Sequence, residues 1–372
     1  MTATPAIGLD PTMAALASPP PPPLPDRALD RALLVQYAHR VMAQAAGLDW
    51  SRWFWGEGVV LAGLVRVARA LDEPTPALVV DFFDRHRMSE VVVDHVNALA
   101  PGAAAAMLGR LDVGLHLLEW FESQGSTTTA DNGAIEHWPG GVWADTAYML
   151  GTFLVHHGHL AGRPDLVDLA AEQWLRHAEL LQDPATGLMA HGSHRGEVPP
   201  CRWGRANAWL ALAACELLES PHLADRAREA IAAAVARQLS GARAALPERG
   251  VWDVLMDGHP ETRGIAETSA AAGLVAAMLR AAALGIDPEA NRGTARTVLC
   301  RLLPYVDESG ALTHTSAGTI LQLVPFGYSV IRDDRPQLWG QGLLLQALAA
   351  ALDHLPEPSH PTDDHTTPPG DE

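Results

Sequence analysis

The segment Gly141-Val-Trp-Ala-Asp-Thr-Ala-Tyr-Met149 places one carboxylate, that of Asp145, beside aromatic side chains at the start of an apolar helical run. Five other segments begin in a similar way and then become uniformly apolar. Their first residues are Trp53-Phe-Trp-Gly-Glu-Gly58, Asn97-Ala-Leu-Ala-Pro-Gly102, Trp203-Gly-Arg-Ala-Asn-Ala-Trp209, Glu267-Thr-Ser269 and Trp339-Gly-Gln-Gly342. Because a helix that is apolar all round is a buried helix, these six segments predict an inner set of helices.

Amphipathic segments with charged faces alternate with the apolar ones, and Gly or Pro separates them. The twelve predicted helices are 27–46, 53–71, 76–88, 99–110, 112–123, 143–158, 164–182, 203–219, 221–239, 262–284, 286–303 and 338–353. The alternation predicts an all-α (α/α)6 barrel, in which six inner helices begin on one face and form a cleft there. A plain α-solenoid is the alternative, but no repeat motif of fixed period demands it.

The two ends of the chain differ from the rest in composition. Residues 1–25 include the run Pro19–Pro23, and residues 356–372 are rich in Pro, Asp, His and Thr. Such segments hold neither helix nor sheet, so we expect a disordered arm, a barrel domain over 26–355 and a disordered tail.

Composition excludes several classes of function. The formal net charge is -18 and no basic stripe is present, so we expect neither nucleic acid nor a membrane surface as a partner. The chain contains no Lys, which excludes a Schiff-base lysine and a P-loop lysine. Three widely spaced Cys suggest no disulfide framework. Without a signal segment or a run of about 18 apolar residues, the sequence predicts a soluble, cytoplasmic protein.

Two carboxylates are candidates for acid–base chemistry. Asp145 lies in the first turn of its helix, where the helix dipole alone would explain an acid. However, Trp143 offers a surface on which a sugar ring could stack. Asp94, in Asp94-His-Val-Asn97, supplies a second carboxylate, although it could equally cap a helix. Two carboxylates in one cleft push their pKa values apart, so we expect Asp94 to raise the pKa of Asp145.

Two further stretches carry polar side chains toward the same face. His191 follows a turn in Gly187-Leu-Met-Ala-His-Gly192, although an isolated His is more often structural. Arg205 begins an inner helix between two indoles, and Arg is suited to gripping a carboxylate with two parallel hydrogen bonds. The alternative is that Arg205 is paired with an acid of the fold. The cluster of His156, His157 and His159 lacks metal-ligand spacing and predicts favourable charge at a helix end.

Taken in order along residues 27–355, these motifs resemble glycoside hydrolase family 105, the unsaturated rhamnogalacturonyl hydrolases. They are also similar to the related family 88 unsaturated glucuronyl hydrolases. The resemblance implies an (α/α)6 barrel without a cofactor. It further implies hydrolysis of the terminal 4,5-unsaturated uronic acid that polysaccharide lyases leave on small oligosaccharides.

The resemblance also assigns roles to residues. It implies that Asp145 is the acid/base that protonates the substrate, that an ionised Asp94 stabilises the positive charge, and that Arg205 holds the uronate carboxylate. The remaining positions expected in substrate binding are His95, Asn97, Trp143, His191, Trp203 and Asn207. The chain departs from the family pattern at Ala206 and Ala208, where glycines are usual, and in a short segment between His137 and Asp145.

Two other functions remain open from the residues. A sugar epimerase or isomerase on the same toroid would use a pair of His side chains as acid and base. A non-catalytic toroid would bind a carbohydrate or a protein and keep only the pocket. The sequence does not indicate the oligomeric state.

Overall fold

The computed structural model describes residues 20–123 and 128–356, which contain twelve helices of seven or more residues. They are α1 (Arg31–Ala46), α2 (Trp55–Ala70), α3 (Ala77–Arg85), α4 (Pro101–Met107), α5 (Leu111–Ser123), α6 (Ala144–Ala161), α7 (Pro164–Leu181), α8 (Gly204–Glu219), α9 (Asp225–Ala244), α10 (Thr268–Ala283), α11 (Pro288–Leu302) and α12 (Leu338–His354). A one-turn helix, Phe326–Ser329, lies between α11 and α12.

The even-numbered helices form a closed inner ring. Each of α2, α4, α6, α8 and α10 packs against the next even-numbered helix, and α12 packs against α2 to close the ring. The odd-numbered helices pack outside them, for example α7 on α6 and α11 on α10. The predicted all-α (α/α)6 barrel is confirmed, and the solenoid alternative is wrong because the first and last inner helices are in contact.

Burial separates the two rings as the sequence pattern predicts. In α8, every residue from Gly204 to Leu218 is buried, whereas α7 buries one face. Small residues allow the inner helices to approach closely: a Cβ added at Gly63 of α2 would lie 2.5 Å from the carbonyl oxygen of Gly342 in α12. A larger side chain at Gly63 would therefore force apart the two helices that close the ring.

Two helices begin later than expected at a residue where a side chain caps the first turn. α1 begins at Arg31 rather than at 27, since the carboxylate of Asp30 accepts a hydrogen bond from the Leu33 N–H at 2.8 Å. α10 begins at Thr268 rather than at 262, since the side chain of Glu267 accepts from the Ala270 N–H. The start of α1 lies near the ends of inner helices, since Arg31 donates to the carbonyl oxygens of Leu352 and Ala70, whereas the cap of α10 lies on the face where the inner helices begin.

The loops before the inner helices are linked to one another on that face. Isolated antiparallel bridges join Trp143 to Gly192, Trp203 to Leu255, and Asp253 to Ala266. These links fix the starts of α6, α8 and α10 relative to one another. Side chains at the beginning of each inner helix are therefore held at one end of the barrel.

The two expected terminal segments lie almost wholly outside the described residues, and their disorder stays a prediction. Residues 20–25 and 355–356 carry no helix. Within the described ranges, none of the helices combines the length and the apolar character that crossing a bilayer requires.

Buried histidines should make the fold sensitive to acid. His177 is fully buried in α7, and burial lowers its pKa to about 4 because it disfavours the imidazolium. The unfolded chain binds this proton near pH 6.5, so stability falls as the pH drops from about 6.5 to about 4. We expect His177→Gln to flatten the dependence of the free energy of unfolding on pH in this window, by up to about 3 kcal/mol.

Urea denaturation at a series of pH values between 7 and 4 measures this effect. The matched control is His194→Gln, because His194 is exposed in the loop before α8. The control should keep the wild-type pH dependence. Identical slopes for His177→Gln and the wild type would contradict the prediction.

Candidate active site

Asp145 and His191 face each other at the start of α6. The Oδ2 atom of Asp145 lies 3.4 Å from the Nε2 atom of His191, without the alignment of a hydrogen bond. Both atoms are buried, and neither has a hydrogen-bond partner among the described residues. Because an unpaired buried carboxylate oxygen is costly, such an arrangement is typical of a functional site.

Backbone and aromatic contacts hold His191 in this position. The N–H of Ala144 donates to the carbonyl oxygen of His191 at 2.9 Å, which attaches the loop before α8 to the first turn of α6. The imidazole packs against the indole of Trp203, with a ring-centroid distance of 4.2 Å, and its Nδ1 atom lies 2.6 Å from the hydroxyl of Tyr328. The structure therefore brings together three residues that the sequence placed in the site: Asp145, His191 and Trp203.

His137 forms a second wall, although it was absent from the expected site residues. Its ring stacks on Trp143 at 4.6 Å, and its Nδ1 and Nε2 atoms lie 3.0 Å from the Thr146 hydroxyl and 3.3 Å from the Asn97 amide nitrogen. Its carbonyl oxygen lies 2.7 Å from the Nε2 atom of His95. The segment from His137 to Asp145 is short because it runs directly from this wall into α6. The adjacent indole of Trp143 was the signal available in the sequence.

The expected raised pKa of Asp145 is wrong. Burial on its own raises the pKa of this carboxyl, but His191, His137 and Arg205 together lower it below its usual value. Burial lowers the pKa of His191, and it lowers that of His137 to about 3. At neutral pH the site of the free protein therefore holds an ionised Asp145 between two neutral imidazoles.

The role expected of Asp94 beside Asp145 stays a prediction. Asp94 is exposed and lines a surface groove of about 660 Å³ together with His116, Glu119 and Trp120 of α5. His191, His137 and Arg205 lower the pKa of Asp145, while the charges of Asp94 and Asp145 both act to raise the pKa of His95. His95 therefore lies between Asp94, which is exposed, and Asp145 in its electrostatic environment.

Arg205 is paired with an acid of the fold, which was the alternative to a substrate contact. Its guanidinium is fully buried and lies 3.1 Å from Glu267. It also donates to the carbonyl oxygens of Ser316 at 2.9 Å and Ala317 at 3.0 Å, and it lies over the Trp203 ring at 4.4 Å. The pair ties α8 and the residue before α10 to the loop before α12. In this arrangement, Arg205 positions the loop rather than presenting a free cation to a uronate.

The side chain of Asn207 forms hydrogen bonds with the backbone. Its amide nitrogen donates to the carbonyl oxygen of Met189 at 2.9 Å, and its amide oxygen accepts from the Met189 N–H at 2.8 Å. The side chain is fully buried, so its contact with the segment that delivers His191 replaces the expected contact with substrate. Ala208, which departs from the family pattern, packs against Gly273 of α10. A Cβ added at Gly273 would lie only 2.7 Å from the Ala208 methyl group, so the glycine at this position makes room for the alanine.

The structure is an all-helical toroid in which an acid faces a histidine where the inner helices begin. These two features are typical of an (α/α)6-barrel enzyme. Residues 28–355 match the family model of Glycosyl Hydrolase Family 88, and the chain belongs to that family. The resemblance found in the sequence to families 105 and 88 is thereby confirmed.

Known proteins agree with this assignment. The unsaturated rhamnogalacturonyl hydrolase YesR of Bacillus subtilis (strain 168) is 26% identical over 330 residues, which cover 84% of this chain and 93% of YesR. Among solved structures, a possible member of the GH105 family from Salmonella enterica has a TM-score of 0.79 at 23% identity, covering 88% of this chain and 96% of its own. The unsaturated glucuronyl hydrolase of Bacillus sp. GL1 has a TM-score of 0.63 at 17% identity, covering 86% and 96%. The two solved structures show the shared fold.

Proposed function

We propose that this protein is an unsaturated uronyl hydrolase, which removes a terminal 4,5-unsaturated uronic acid from small oligosaccharides. Membership of the glycosidase family and the likeness to YesR support the substrate class. The observation that carries the proposal is the unpaired Asp145 Oδ2 atom opposite His191 Nε2, at the end of the barrel where the inner helices begin.

The proposed reaction is hydration of a vinyl ether. Asp145 donates a proton to C4 of the double bond, which leaves oxocarbenium character at C5. Water then adds at C5, with Asp145, now ionised, accepting its proton. The resulting hemiketal collapses and releases the partner sugar. One side chain therefore serves as acid and then as base, and no cofactor is needed.

Substrate binding must raise the pKa of Asp145 so that the carboxylate takes up a proton from solvent, since this pKa is lowered in the free protein. A uronate carries its own carboxylate, and a second negative charge close to Asp145 raises the pKa of this group. Displacement of water by the sugar acts in the same direction, because it disfavours the ionised form. The substrate would thus convert Asp145 into the acid that its own double bond requires.

Aromatic and imidazole rings provide the surface for the sugar. Trp138 is half exposed and packs on His95 at 4.1 Å, while Trp143 stacks on His137. Sugar rings present apolar C–H faces that stack on such surfaces, so we assign Trp143, His95 and Asn97 to the binding wall. We also propose that the protein acts in the cytoplasm, where its three buried free thiols would stay reduced.

The test is loss of the ultraviolet absorbance of the conjugated double bond. Purified protein should abolish this absorbance with an unsaturated galacturonyl or glucuronyl disaccharide, and the partner sugar should be released in equal amount. The saturated disaccharides are the controls and should stay intact. If every unsaturated disaccharide keeps its absorbance, or if saturated sugars are isomerised instead, the proposal is wrong.

The role of Asp94 is tested separately. Because Asp94 is exposed, we expect Asp94→Asn to lower kcat by less than about tenfold, far less than loss of the general acid would. Initial rates on the preferred disaccharide measure the effect, with Glu119→Gln as a control in the same groove. A loss of about a hundredfold or more confined to Asp94→Asn would contradict this expectation and support the role that the family resemblance implies.

A further inference from the structure

Tyr328 points inward from a segment whose other large apolar side chains face solvent. It lies in the one-turn helix Phe326–Ser329 and is fully buried, whereas Val324, Phe326 and Val330 are each more than half exposed. The packing of this segment therefore depends strongly on Tyr328. Its ring lies near those of His191 and Trp203, with centroid distances of 5.8 and 6.5 Å.

The hydroxyl of Tyr328 makes a short contact with the imidazole that faces Asp145. Its oxygen lies 2.6 Å from the Nδ1 atom of His191, and it accepts a longer hydrogen bond, 3.4 Å, from the backbone N–H of Gln322. The N–H of Gln322 occupies one side of the oxygen, so the hydroxyl hydrogen is available for Nδ1. Burial raises the pKa of Tyr328 well above its usual value, so this hydrogen is retained at any working pH.

Only one tautomer of His191 suits both of its neighbours. If Nδ1 carried the hydrogen, the lone pair of Nε2 would face the Asp145 carboxylate at 3.4 Å, and two acceptors would oppose each other. If Tyr328 donates to Nδ1, the hydrogen is on Nε2, on the side of the ring that faces Asp145. Since the other nitrogen's hydrogen bond decides which nitrogen of a histidine is protonated, the hydroxyl controls this choice.

We propose that Tyr328 is a positioning residue, which holds His191 as the Nε2–H tautomer and so directs an N–H toward the carboxylate of Asp145. The inference rests on the proposed function for its kinetic consequence, but not for the tautomer itself. In the reaction, this N–H stabilises the ionised Asp145 after the proton has been transferred to the substrate. Tyr328 thereby couples the segment 320–330 to the general acid without contact to the reacting atoms.

Tyr328→Phe removes the hydroxyl and keeps the ring. We expect kcat to fall by roughly 10- to 100-fold with KM changed less than about threefold, as when an outer partner of a functional histidine is lost. Without the fixed donor, the pKa of Asp145 should rise. Because the protonated acid is the active form, the alkaline limb of the kcat/KM profile should move to higher pH. The control is Tyr37→Phe, a buried tyrosine on the outer helix α1.

Nitrogen-15 spectra of histidine-labelled protein test the tautomer directly. His191 is assigned by comparison with His191→Gln, and the wild type should show a protonated Nε2 and an unprotonated Nδ1. Tyr328→Phe should show a mixture of tautomers. An Nδ1–H tautomer in the wild type would overturn the proposal whether or not Tyr328→Phe folds, and so would an unchanged tautomer and pH profile in the variant. Failure of the uronyl hydrolase proposal would leave this spectroscopic result standing.

Discussion

Asp145→Asn should lower kcat on unsaturated uronyl disaccharides by roughly 10²- to 10⁴-fold, the range that a positioned general acid supplies. The amide has nearly the same shape as the carboxyl but cannot deliver a proton to C4. Affinity for the substrate should be unchanged or higher, because the variant removes the negative charge that opposes a uronate. Stopped assays of the double-bond absorbance measure kcat, and calorimetric titration of the variant measures binding.

Asp165→Asn is the matched control, which distinguishes a catalytic acid from a residue that only complements the helix dipole. Asp165 also lies in the first turn of a helix, that of α7, but it is exposed and paired with Arg163. If Asp145 only complemented the helix dipole, both substitutions would cost a few tenths to 1 kcal/mol of stability and neither would change kcat. Turnover by Asp145→Asn within tenfold of the wild type would remove Asp145 from the mechanism.

Arg205→Met should lower the free energy of unfolding by about 3–5 kcal/mol, because it leaves the carboxylate of Glu267 buried without its partner. Glu267 is fully buried and also accepts hydrogen bonds from the Ser269 hydroxyl at 2.8 Å and the Ser316 N–H at 3.0 Å. The double variant Arg205→Met/Glu267→Gln removes both charges, so it should recover a large part of the loss. Urea denaturation of the four proteins gives the coupling energy between the two sites.

A surface ion pair provides the comparison for this cycle. Arg110 pairs with Asp112 in solvent, and Arg110→Met should cost less than about 1 kcal/mol. The cycle also decides between the two roles considered for Arg205. If Arg205→Met kept wild-type stability and raised KM alone, the guanidinium would be a substrate contact rather than the partner of Glu267.

Much of the fold was predictable because the pattern of apolar residues within each segment indicates which of its faces are buried. The inner helices α8 and α10 are apolar on every side, and α7 is apolar on one face, so the assignment to rings needed no long-range information. Helix starts were less predictable. The shifts at Arg31 and Thr268 arise from side-chain caps whose geometry the sequence pattern does not specify.

The candidate site likewise contains residues whose place the sequence predicts and residues whose contacts it does not. Asp145 and Trp203 stand at the starts of inner helices, so the periodicity that predicts the barrel also predicts that they share an end. His191 reaches the same place on a turn. For Arg205 and Asn207, residue type indicated chemistry, but their partners were decided by segments distant in the chain. Glu267 neutralises Arg205 across 62 residues, and Met189 engages both groups of the Asn207 amide.

By itself the sequence determined an alternation of buried and amphipathic helices, a single acid at an inner helix start, and a family. Only the tertiary structure decided which polar groups are free. Burial makes it costly for a charge or hydrogen-bonding group to lack a partner, and that partner can come from any part of the chain. Arg205 is occupied for this reason, Asp145 and His191 stay unpaired toward each other, and Tyr328 reaches His191 from 137 residues away.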